Sequence, residues 1–98
     1  MVLINWTNQA KNDLKGIVEY ISKDSKRYAL LLVNRIRQRT QITKSQPYIG
    51  RVVPEIGNDR FRELLEGNYR IIYKIVTETR IDIITVHHSA RDLSNRNL

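Results

Sequence analysis

The stretch "RELLEGNYRIIYKI" (residues 62–75) and the run "VHHSARD" (residues 86–92) hold the side chains best suited to chemistry. Arg62, Arg70 and Arg91 carry guanidinium groups, whose paired N–H donors match the geometry of a phosphate or a carboxylate. His87 and His88 titrate near neutral pH, so either can give or take a proton. Glu63 can serve as a base or form a cross-strand pair with a neighbouring cation. Each residue also has a plainer role. A strand arginine is often only solvated, and a lone strand histidine is more often a satisfied structural donor than a catalyst. His87 and His88 are adjacent in a strand pattern, point to opposite faces and cannot readily share one metal ion. There is no P-loop, dinucleotide fingerprint or metal-spaced His/Asp cluster, and neither a cofactor nor a metal is expected.

The elements that position these residues follow from hydrophobic spacing. In "VLINWT", Val2, Ile4 and Trp6 alternate and predict a short first strand. Thr7 or Asn8 can cap the helix that follows, in which Ala10, Leu14, Ile17, Val18 and Ile21 recur at helical spacing to about Ser22. "KDS" breaks it, and Asp24 or Ser25 can cap a second helix. There Ala29, Leu32, Val33, Ile36 and Thr40 form the apolar stripe. So short a break predicts an antiparallel helical hairpin. "SQPYIGRVVPEIGND" contains both prolines and reads as a loop with an extended piece at residues 51–53. "RFRELLE", "NYRIIYKIV" and "RIDIITVHH" then read as three antiparallel strands, joined by "GN" and "TET". Tyr69, Ile71 and Tyr73 face the helices. Arg70, Ile72 and Lys74 occupy the opposite, open face. The resulting class is α+β, a single domain over residues 1–98 with the order β-α-α-β-β-β and the helical hairpin on one face of an antiparallel sheet.

Composition narrows the class further. Ninety-eight residues allow one modest core, and the absence of cysteine removes a disulfide framework and suits a reducing compartment. No apolar run approaches the roughly 18 residues of a membrane span, and "MVLINWTNQ" lacks the basic region of a signal peptide, so a cytoplasmic protein away from membranes is expected. The net charge is +7. A basic domain this small commonly meets a polyanion or an acidic protein. Most of the excess lies in residues 1–49, with nine basic residues against three acidic. The second helix region, from Lys26 to Lys44, carries Arg27, Arg35, Arg37 and Arg39 and no acid. With Arg51, Lys74 and Arg91, the residues Arg35, Arg37 and Arg39 are the candidates for binding a partner or nucleic acid. A simply solvated face is the plainer reading of the same charges.

In order and spacing, "WTNQAKNDLKGIVEYI", "PYIGRVVPE", "RELLEGNYRIIYKI" and "IITVHHSAR" resemble the RelE/ParE superfamily of toxins from type II toxin–antitoxin modules, over nearly the whole chain. The resemblance implies a toxin held inactive by a cognate antitoxin, expected to bring an acidic, partly disordered segment. Operator DNA would be bound only through that antitoxin. RelE-like members cleave messenger RNA on the ribosome, whereas ParE-like members inhibit DNA gyrase. On the RelE-like reading, Arg70 would hold the phosphate, Glu63 or a histidine would be the base, His88 the acid, and Arg62 and Arg91 further phosphate ligands. Yet RelE-like nucleases crowd lysines on the strand matching "RFRELLE", and this chain has Arg62 and Glu63 there instead. "RELLEGNYRIIYKI" with "VHHSARD" looks more like ParE, where Arg70 and His88 need do no chemistry. The expectation is therefore a ParE-like gyrase inhibitor, with an mRNA interferase as the alternative and a non-toxic co-repressor as a third reading. On either toxin reading Arg70 is expected at the centre of the open face, presented outward, with His88 and Arg91 beside it.

Overall fold

The computed structural model describes residues 1–88. The terminal "SARDLSNRNL", read as a short helix or tail, lies outside the described residues, as does Arg91. The elements are β1 (Leu3–Trp6), α1 (Asn8–Ile21), α2 (Lys26–Arg39), a 3-10 turn (Thr40–Lys44), β2 (Arg51–Val52), β3 (Phe61–Glu66), β4 (Tyr69–Thr77) and β5 (Arg80–His88). Local chemistry sets their ends. Thr7 caps α1, accepting the Ala10 N–H at 3.2 Å, and Ser25 caps α2 through the Tyr28 N–H at 3.1 Å. The second helix does not run on to Lys44 as one α-helix. It tightens after Arg39, where the Thr40 and Thr43 hydroxyls each donate, at 2.7 Å, to a carbonyl three residues back.

The five strands lie in the order β1-β5-β4-β3-β2. β2 to β5 pair antiparallel, but β1 runs parallel to β5, with Leu3 opposite Arg80. The sheet is antiparallel as expected except along this one edge, for which no direction was expected. Alternation tells which side chains share a face and carries no information on strand direction. The direction is tied down at Thr7, whose hydroxyl donates to the Ile83 and Ile84 carbonyls at 2.8 and 3.0 Å while capping α1.

Both helices lay their apolar stripes on one face of the sheet. Ala10, Leu14, Ile17, Leu32 and Ile36 meet Ile71, Tyr73, Ile75, Ile81, Ile83 and Val86 in the main core. Each of the buried Leu, Ile and Val side chains contributes roughly 1.5–3 kcal/mol. Asp13, at helical spacing from Ala10, joins α1 to β5 by accepting the Thr85 hydroxyl at 2.5 Å and the Val86 N–H at 2.9 Å. These bonds hold β5 beside an irregularity at which Ile72 pairs with Thr85 but Tyr73 pairs with Ile83. Ile84 is the extra residue and packs toward the other face.

That other face is not open. Residues 53–60 fold over its centre, and Val53, Ile56, Phe61 and Ile84 surround Ile72 in a second, smaller apolar cluster. The Val53 N–H donates to Phe61 O at 3.1 Å, the Ile75 N–H donates to Arg60 O at 2.9 Å, and Arg60 donates to the Ile75 and Val76 carbonyls. The preceding residues 47–50 are clamped to the sheet by Tyr73, fully buried at 0% exposure. Its hydroxyl donates to Pro47 O at 2.6 Å and accepts the Gly50 N–H at 3.0 Å. Burial pushes this phenol above its ordinary pKa, so it stays protonated as a donor at neutral pH. Glycine is required at position 50 because a Cβ there would lie 2.6 Å from the Glu63 carbonyl oxygen and 2.8 Å from the Tyr73 hydroxyl.

Tyr73→Phe keeps the ring in the core but leaves the Gly50 N–H and the Pro47 carbonyl without their partner. The expected cost is about 1–3 kcal/mol, read as a lower urea midpoint at unchanged slope. An unchanged midpoint would mean that the clamp contributes nothing.

Candidate functional site

β4 carries Arg70 to the second face, and its exposure there is only 6%. It is therefore not presented outward. Burying a guanidinium is costly unless its donors are matched, and here they are. Glu63, on the neighbouring strand, accepts from Arg70 Nε at 2.5 Å and from Nη2 at 3.2 Å. Glu55, from the covering loop, accepts from Nη1 at 2.7 Å and from Nη2 at 2.9 Å. Arg51 Nε closes the outer side of Glu63 at 2.7 Å. The four residues form a chain of alternating charge, Arg51–Glu63–Arg70–Glu55. Its two ends differ from its middle. The Glu63 side chain is wholly buried, whereas those of Arg51 and Glu55 are 63% and 39% exposed. The hydrogen bonds from Arg70 hold the Glu55 carboxyl at about 2, well below its ordinary value. The same two carboxylates raise the pKa of Arg70, Glu55 first, so its charge is permanent.

The histidines separate as alternation requires, with the opposite assignment to that expected. His87 pairs across the strands with Arg70 and is buried on the second face. His88 pairs with Tyr69, its ring 5.6 Å away and edge-on at 81°. His88 is therefore not beside the Arg70 side chain. Along with Asp13, Tyr20, Tyr28, Leu32 and Tyr69 it lines a groove of about 830 Å³ between the helical hairpin and the β3–β4 turn.

Arg62 uses its donors within the fold. It bonds to the carbonyls of Tyr48 and Gly50 at 3.2 and 3.0 Å and to Asp59, and stacks 5.0 Å from the Tyr48 ring. Lys74 lies 5.4 Å over Phe61. On α2, Arg37 stacks 5.5 Å over Trp6, Arg39 donates to Leu65 O at 3.2 Å, and Arg35 is exposed. The structure thus joins Arg51, Glu63 and Arg70 in one network and leaves Arg35, Arg37, Arg62 and His88 outside it. Glu55 was the member that sequence reasoning missed. It sits in an irregular loop with no periodicity to mark its direction. Asp13 was missed as well, though an acid three residues after Ala10, on the buried side of a helix, was a legible signal. Among the described residues, no group of three or more metal-ligating side chains occurs.

The family described as "ParE toxin of type II toxin-antitoxin system, parDE" matches residues 4–93. Among solved structures, the chromosomal ParDE toxin–antitoxin system from P. aeruginosa is similar with a TM-score of 0.72 and 23% identity, over 90% of this chain and 96% of that one. The toxin–antitoxin complex RelBE2 from Mycobacterium tuberculosis is similar with a TM-score of 0.57 and 20% identity, over 89% and 96%. No curated protein matches the chain.

Two outcomes follow from the charge chain. Arg70→Ala strands Glu63 in the interior with only the exposed Arg51 as partner. It should destabilise the fold by about 3–5 kcal/mol, and Arg70→Ala with Glu63→Ala should cost less than the sum of the single changes in urea unfolding. Acid should act through Glu55. Because its folded pKa is depressed from 4.5 to about 2, the stability it lends is fully present above 4.5 and is lost as the pH falls from there toward 2. Allowing for solvent screening of a carboxylate this exposed, the loss is roughly 1 kcal/mol. Glu55→Gln should flatten the acid limb of a stability–pH curve by that amount.

Proposed function

The chain belongs to the ParE toxin family of type II toxin–antitoxin systems, and from that premise we propose that it acts by binding and inhibiting DNA gyrase, and is neutralised by a cognate antitoxin. The supporting observation is the state of Arg70 and Glu63. Metal-independent RNA cleavage needs a base, a cation at the phosphate and an acid, all converging on one phosphodiester. Glu63 is wholly buried between two guanidinium groups, Arg70 is matched on both sides by carboxylates, and His88 points to the other face. Residues committed in this way support a rigid binding module over a nuclease, because each would have to break an ion pair before acting. On this reading Arg70 braces the sheet.

The antitoxin part of the proposal rests on charge and surface. Against a net charge of +7, the exposed side of α2 sets Tyr28, Leu30 and Leu31 among Arg27 and Arg35, and the Tyr28 side borders the groove below His88. Such a surface suits an acidic, partly disordered segment that folds as it binds. Both similar structures are of toxin–antitoxin systems, which supports a partner of this kind.

The purified toxin should inhibit supercoiling by gyrase and leave translation primed with messenger RNA unaffected. Cleavage of messenger RNA with supercoiling untouched would overturn the gyrase reading in favour of ribosome-dependent cleavage.

A further inference from the structure

The sheet edge that carries β2 ends in an apolar corner. β2 has only two residues, so β3 runs on past it. Arg51 stands opposite Glu63. Ile49 comes two residues before Arg51 and Leu65 two after Glu63, so both sit at the same end of this strand pair. They are 43% and 50% exposed, and Tyr48, beside Ile49, is 53% exposed. Large apolar side chains gathered at one place on a surface mark contact sites, whereas single ones do not. The corner is also rigid. The Tyr73 hydroxyl holds Pro47 O and the Gly50 N–H, and the Ile49 N–H donates to Gln46 O at 3.1 Å. Arg62 bonds to the Tyr48 and Gly50 carbonyls and stacks on the Tyr48 ring. On the other strand, Arg39 of α2 donates to Leu65 O at 3.2 Å, beyond the end of β2.

We infer, resting on the gyrase reading above, that this corner is the surface that meets the target, and that the target offers it an acidic patch around a protruding apolar side chain. Charge sets the sign of the partner. Arg39, Arg51, Arg62 and Arg70 stand here against Glu55, Asp59 and Glu63, four positive charges to three negative, within a chain of net charge +7. Each of those three acids already accepts from one of the arginines. Glu66 follows Leu65, but alternation turns it to the helix side with Tyr69. A partner that covers Ile49 and Leu65 therefore gains from carboxylates of its own around the contact. Rigidity sets the kind of partner. A surface held at this many points loses little freedom on binding and suits a folded protein, whereas the outer side of α2 suits a segment that folds as it binds. Tyrosine and arginine, both present in the corner, are residue types on which binding energy concentrates.

The test is the concentration of the whole chain that half-inhibits supercoiling by purified gyrase, with a thermal melt to confirm that each variant is folded. Leu65→Glu and Ile49→Glu put a negative charge into the corner at exposed positions, where the fold tolerates it. Each should raise the half-inhibitory concentration about tenfold or more, the scale of losing one central contact of an interface. Leu65→Lys removes the same side chain but brings the opposite charge, and should cost clearly less than Leu65→Glu. Leu3→Glu, at a similarly exposed apolar position on the opposite edge of the sheet, should inhibit as the parent does. Parent-like inhibition by folded Leu65→Glu or Ile49→Glu, or an equal loss from Leu3→Glu, would overturn the surface. Equal losses from Leu65→Glu and Leu65→Lys would overturn the acidic partner. A parent that leaves supercoiling untouched would instead overturn the gyrase reading itself, and this surface with it.

Discussion

One buried contact organises this molecule, the pair formed by Glu63 on β3 and Arg70 on β4. Two charges taken out of water are tolerated only when the geometry satisfies nearly all of their donors and acceptors. That requirement reaches well beyond the pair. It fixes the β3–β4 register, since a slip of one residue would turn one charge into the helix-facing core. It calls for Arg51 on β2, which explains why a strand of two residues is worth forming at the sheet edge. It also calls for a carboxylate from above, and residues 53–60 lie across the sheet to deliver Glu55. The covered second face therefore follows from one charged pair, with a small cluster around Ile72 as its apolar support.

The two faces of the sheet consequently have different characters. On the helix side, burial is largely apolar, and two of the polar groups there, Asp13 and the Tyr73 hydroxyl, hold neighbouring segments in place. On the other side, the buried charge pair of Glu63 and Arg70 stands beside a small apolar cluster around Ile72. The surface proposed for recognition of the antitoxin lies elsewhere, on the basic outer side of α2 and in the groove that ends at His88. On the docking reading proposed above no reactive centre is needed, and the interior charges would serve shape.

Much of this was legible in the sequence because it is local. The pairs Thr7–Asn8 and Asp24–Ser25 announced the helix starts, the stripes of Ala10–Ile21 and Ala29–Thr40 marked the buried sides, and the two-residue turn at Gly67–Asn68 gave the tight β3–β4 connection. Parity correctly put Tyr69, Ile71 and Tyr73 toward the helices and Arg70 on the other side. It could not say what covers Arg70, because Glu55 approaches from a loop whose path depends on tertiary contacts at Val53 and Ile56. Nor could it choose between His87 and His88. That choice hangs on pairing offsets in β4–β5, including the irregularity at Ile84, and a shift of one residue exchanges the faces. The direction of β1 was unreadable for a similar reason, since alternation is the same read either way.

The parallel pairing of β1 with β5 has a consequence for how the chain is made. Among the described residues β5 is the last strand in sequence, yet it lies inside the sheet, with the first strand on one flank and β4 on the other. Leu3 waits for Arg80 before its backbone has any strand partner. A nascent chain that has released only its helices and first two hairpin strands holds an N-terminal segment with nowhere to dock. Closure must await synthesis of β5 and bridge some 77 residues between Leu3 and Arg80, a topology in which ring-closing entropy slows assembly. A chain interrupted within β5 would lose the seam that joins it to β1.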